Sequence, residues 1–81
     1  MSAAEEQQVK SALLHDSDDY RQLAERHHQL DGRLHELTDK HYLSTSEQLE
    51  EVTLKKRKLA LKDQMEMMAR EYAREHHLVA S

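Results

Sequence analysis

At 81 residues the chain has room for one small unit and no second domain. It has no proline, no cysteine and one glycine, which excludes turn-rich β architectures, a disulfide scaffold and any thiolate chemistry. Twelve basic against sixteen acidic residues give a formal charge of −4, which argues against the chain as a whole being a polyanion binder.

Leu, Glu, Lys, Gln, Arg and Ala dominate what remains, and these are the strong helix formers. The composition predicts an all-α chain. No apolar run approaches the roughly 18 residues of a membrane span. The opening Met-Ser-Ala-Ala-Glu-Glu lacks the basic and apolar regions of a secretory signal, so a cytoplasmic location is expected.

Residues 1–15 read as a short N-terminal helix or frayed arm. Ser2 and Glu5 have capping-box spacing, and Val9, Ala12 and Leu13 make one apolar strip. So short a helix is marginal alone, and its second half is expected to dock.

Residues 16–75 are expected to form a helical hairpin, with helices over about 17–40 and 46–75. Asp16 or Ser17 supplies the first start signal, followed by carboxylates that suit the positive end of the helix dipole. Tyr20, Leu23, His27, Leu30, Leu34, Leu37 and His41 then recur at alternating steps of three and four, a heptad stripe on one face. Arg26, Gly32, Arg33 and Glu36 fall on the outer face. Gly32 costs the helix about 1 kcal/mol of propensity.

The segment from His41 to Ser46 reads as the connection. Ser44 with Glu47, or Thr45 with Gln48, offers the capping box that restarts a helix. A turn near residue 44 makes facing residues carry numbers summing to about 88. Tyr20 then meets Met68, Leu23 meets Met65, His27 meets Leu61 and Leu34 meets Leu54, and Asp31 comes beside Arg57 or Lys58 as a hairpin-locking pair.

The second long helix has two apolar sides. Leu54, Leu61, Met65, Met68 and Tyr72 complete the seam, whereas Leu49, Val52, Leu59 and Met67 lie opposite. An ordinary surface helix has one stripe, so two stripes imply two neighbours. One reading gives the second stripe to the N-terminal helix. The preferred reading gives it to a second copy of the chain.

As heptad positions that stripe reads Leu49, Val52, Lys56, Leu59, Asp63, Met67. Two copies laid antiparallel about a twofold axis between Leu59 and Ala60 bring Lys56 to the partner's Asp63 and Val52 to the partner's Met67. The contact is self-complementary, as a twofold interface must be. A homodimer forming a four-helix assembly is the expectation. Residues 76–81 are left as a C-terminal tail.

Leu23-Ala-Glu-Arg-His27-His28-Gln-Leu30-Asp31, the loop Tyr42, and Leu59-Ala-Leu61-Lys62-Asp63 together resemble the YdcH-like family of small bacterial proteins of unknown function. The similarity covers roughly residues 10–70. The resemblance implies a helical hairpin, and carries no established activity, cofactor or catalytic residue. Gly32 departs from the charged helix former the family pattern favours there.

The seven histidines invite a zinc reading. Zinc requires several ligands converging at about 2 Å, while His27-His28 and His76-His77 point about 100° apart on a helix, so no metal or other cofactor is expected. Catalysis is not expected either. The carboxylates spread over solvated faces, no nucleophile sits beside a base, and a hairpin has little volume to enclose a substrate.

Lys55, Lys56, Arg57, Lys58 and Lys62 form the strongest charge signal. The bland reading is a solvated face balancing Asp31, Glu50, Glu51, Asp63 and Glu66. The alternative is phosphate contact in RNA or a ribosome, which is salt-dependent and blind to sequence. The preferred function is a non-catalytic protein-interaction or accessory module. The nucleic-acid factor is the alternative.

Overall fold

The computed structural model describes residues 2–76. They form three helices, α1 (Ala3–Asp16), α2 (Asp18–Thr38) and α3 (Thr45–Glu75), with no strand among the described residues. Of the expected tail over 76–81, His76 is described as the C-cap of α3, while residues 77–81, and with them the His77 member of the His76-His77 pair, lie outside the described residues.

Each helix begins on a serine whose hydroxyl accepts a first-turn amide that no carbonyl can reach. Ser2 accepts from the Glu5 amide, Ser17 from Tyr20 and Ser44 from Glu47. At Ser44 the box is reciprocal, because the Glu47 carboxylate also accepts from the Ser44 amide at 3.1 Å. Ser44 with Glu47 is therefore the restart signal used, and α3 begins at Thr45.

Helix α2 ends at Thr38, short of Lys40. Thr38 Oγ1 donates back to the Leu34 carbonyl at 2.8 Å, and the Asp39 amide caps the last turn on the His35 carbonyl. His41 consequently sits exposed in the connection and does not extend the heptad stripe, which stops at Leu37.

The long axes of α2 and α3 produce a rod with principal extents of 49 × 23 × 16 Å. Its buried apolar residues divide into two clusters. Near the loop, Leu34, Leu37 and Leu54 pack with half-buried Leu30 and Leu43. At the open end, Tyr20, Ala69 and Ala73 pack with Val9 and Leu13 of α1, flanked by Met65, Met68 and Tyr72. Leu23, His27 and Leu61 are half-buried between them.

Helix α1 thus lies over Tyr20, Ala69 and Ala73, not over the outer stripe of α3. Two alanines one helical turn apart lower the surface of α3 enough for Val9 to become fully enclosed. Arg21 fixes the corner between α1 and α2, its Nη1 donating to the carbonyls of Leu14 at 2.9 Å and His15 at 2.8 Å. Those are carbonyls that the end of α1 leaves free.

Gly32 is exposed in the interior of α2, and a Cβ built there meets nothing within 4 Å. Gly32→Ala is expected to stabilise the fold by about 1 kcal/mol, read as a raised denaturant midpoint at unchanged slope. An unchanged or lowered midpoint would show that this position serves something other than local helix geometry.

Candidate interaction surface

Helix α3 is long enough to pass both clusters, and its seam side is spent on α2 and α1. The opposite side is left over. Leu49, Val52, Leu59 and Met67 keep 66%, 51%, 60% and 67% of their surface exposed, and all fall on that side at helical spacing. Lys56 and Asp63 lie exposed in the same line. Single exposed apolar residues are ordinary, but four aligned along one helix face form a strip.

The seam opposite holds the other expected residues. Tyr20, Leu34, Leu37 and Leu54 are buried, and Leu23, His27, Leu30, Leu61, Met65, Met68 and Tyr72 are half-buried. Tyr42, at the loop, is 85% exposed.

The hairpin is also locked by three charge pairs between α2, the loop and α3. Lys58 pairs with Asp31, one of the two partners expected from the facing numbers, and Arg57 does not. Arg33 grips Glu50 with two parallel bonds, Nη2 to Oε1 at 2.8 Å and Nε to Oε2 at 3.1 Å, and donates from Nη1 to Glu36 at 2.9 Å. Lys40 reaches across the loop to Glu47.

Two of these pairs were hidden in the sequence. Arg33 belongs to the flank of the seam rather than to the outer face, and Glu50 answers it instead of balancing the basic segment. The signal that points to Arg33 is its place one residue from Leu34 on a face that α3 overlaps.

These contacts shift the titration of their members. Hydrogen bonding from Lys58 holds the Asp31 carboxyl below its ordinary value, helped by the nearby positive charge. Arg33 does the same to Glu50. Glu47 is lowered furthest, from 4.5 to about 2, by the Lys40 hydrogen bond first and the Ser44 amide second. Arg33 is raised by its two carboxylates, and burial raises Tyr20 above 10.0.

A lowered carboxylate supports the fold fully above its unfolded value and loses that support as pH falls towards its folded one. Stability is expected to decline progressively below pH 4.5, where Glu47 begins to protonate in the unfolded chain, and to keep falling towards about 2. Tyr20 acts oppositely, with support lost as pH rises beyond 10.0. Denaturant titrations across pH check both arms. Glu47→Gln, which cannot ionise, is expected to flatten the acid arm, and an acid slope identical to wild type would contradict the assignment.

The basic segment is only partly neutralised. Lys55 pairs with Glu51 at 3.3 Å and Lys58 with Asp31, while Lys56, Arg57 and Lys62 make no ion pair among the described residues. Asp63 and Glu66, expected to balance the run, make none there either. Among the described residues no group of three or more His, Asp or Glu side chains is placed to hold a metal ion, and no helix is long and apolar enough to cross a membrane.

No curated protein and no solved structure matches the chain. A family model described as "Protein of unknown function (DUF465)" matches residues 21–69, from the first turn of α2 to Ala69 of α3, and so takes in the hairpin seam except Tyr20 and Tyr72, the loop, the basic segment and the whole outer stripe. The YdcH-like resemblance agrees with that match, and a hairpin recognised over well more than half its length belongs to the DUF465 family.

Proposed function

We propose that the chain is a non-catalytic interaction module of the bacterial cytoplasm that self-associates through the outer face of α3 into a four-helix assembly. The observation that supports this reading is the line of Leu49, Val52, Leu59 and Met67, left exposed on the side of α3 away from both clusters. Among the described residues, helix α1 is the element outside the hairpin, and it is occupied at the open end.

In the antiparallel arrangement with facing numbers near 119, the apolar members of one stripe meet those of the other. Lys56 and Asp63, both exposed, exchange partners across the axis. Opposite charges set in an otherwise apolar seam select register and orientation more than they add affinity.

Sedimentation equilibrium of the purified chain tests the reading. Every substitution counts twice across a twofold, so Lys56→Asp is expected to weaken association by about tenfold, and Asp63→Lys in the same chain to restore it. A compact monomer at all concentrations, or a double variant no better than the single, would overturn the register. Recovery of a different protein from lysate at high salt, with no self-association, would keep the module and change its partner.

Binding of nucleic acid through residues 55–62 is the second reading. It is favoured by Lys56, Arg57 and Lys62 having no ion pair among the described residues. Salt-dependent co-purification with RNA, abolished when these residues become Gln, separates it from the first.

A further inference from the structure

Leu59 belongs to two surfaces at once. It is the central apolar residue of the outer stripe, and it also lines a groove of about 520 Å³ between α2 and α3. Lys55, Lys58 and Lys62 form the α3 wall of that groove, and His35 stands on the α2 wall. The one carboxylate in the lining, Asp31, is already taken by Lys58. One flank of α3 therefore carries three ammonium groups a turn apart, and its edge is the stripe itself.

A twofold axis that exchanges two antiparallel helices runs across their interface from flank to flank. It leaves the lysine flanks of both copies on the same side. With the axis between residues 59 and 60, Lys58 lies three residues from its own symmetry mate along α3 and Lys62 lies five, about 4.5 and 7.5 Å of helical rise. The two grooves then merge over the paired Leu59 side chains into one trough. Neither copy alone presents it.

We infer that this trough is a binding site for a chain of phosphates, completed only by self-association, so that phosphate binding and dimerisation are coupled. The inference rests on the dimer proposed above. Of the six lysines gathered about one axis, Lys55 and Lys58 of each copy are engaged by Glu51 and Asp31 of their own chain, which leaves the two Lys62 ammonium groups without a partner among the described residues and repelling one another across the axis. A ligand with several closely spaced anionic oxygens relieves that repulsion and bridges the copies. A single carboxylate cannot span it. Linkage then requires that whatever binds the dimer better than the monomer also tightens the dimer.

The test is sedimentation equilibrium of the full chain at constant ionic strength, with sodium tripolyphosphate in one arm and a short oligouridylate in the other. Tripolyphosphate is expected to tighten association about tenfold. An equal or larger response to oligouridylate, at lower phosphate concentration, identifies RNA as the source; a response to tripolyphosphate alone identifies free polyphosphate. Lys55→Gln with Lys62→Gln is expected to abolish the response while strengthening association in its absence, a pair of opposite effects that loss of structure does not produce.

If Leu59→Glu, folded by circular dichroism and monomeric, binds tripolyphosphate as tightly as wild type, the site is not composite and the inference fails. If the wild type dimerises through its stripe but ignores both phosphates, the inference fails and the dimer stands. Absence of any dimer removes both.

Discussion

Tyr20→Ala is expected to destabilise the chain by about 3–5 kcal/mol, as deletion of a large buried aromatic does elsewhere. Tyr20 is 2% exposed and joins all three helices, with Val9 and Leu13 of α1 on one side and Ala69 and Ala73 of α3 on the other. A unit of this size rarely holds more than about 3–5 kcal/mol in total, so most of the population should unfold. Tyr20→Phe keeps the ring and is expected to stay folded. Circular dichroism against urea distinguishes the two, and a midpoint for Tyr20→Ala near that of wild type would mean that α1 and the open end add little to the fold.

Leu37→Ala is expected to cost about 2–5 kcal/mol from the other end of the rod. Leu37 is 1% exposed and packs with Leu34 and Leu54, where the loop leaves no neighbouring helix to collapse into the space. The Tyr20 and Leu37 clusters share no member. Measured in a background stabilised by Gly32→Ala, the effects of Leu37→Ala and Tyr20→Phe should add within about 0.5 kcal/mol. Strong coupling between them would contradict the separation of the two clusters.

The parts of this fold that were legible are those written in long periodic residues. Tyr20, Leu23, Leu30, Leu34 and Leu37 carry a heptad signal that survives without tertiary context, and Ser17 and Ser44 mark helix starts through their own hydroxyl chemistry. The register brings Asp31 beside Arg57 or Lys58, and the structure selects Lys58. Ala69 and Ala73 were not legible, because alanine adds almost nothing to a hydrophobic pattern and matters here only for what it lets approach. Arg33 reads as an outer-face residue because an arginine on the flank of a stripe can turn either way. Only the position of Glu50 decides it. The outer stripe was legible as a line of residues, since Leu49, Val52, Leu59 and Met67 repeat at the right spacing. Nothing in one chain's pattern says what lies against that line.

Between Tyr20 and Leu34 on α2, and between Leu54 and Ala69 on α3, no residue is fully buried. The rod is therefore bolted at its two extremities and comparatively loose along its waist, where Lys58, Asp31 and the groove above them lie. Such a middle can breathe while both ends stay shut. Amide exchange is therefore expected to be faster along α3 between Leu54 and Ala69, where no buried side chain backs the helix, than at either extremity.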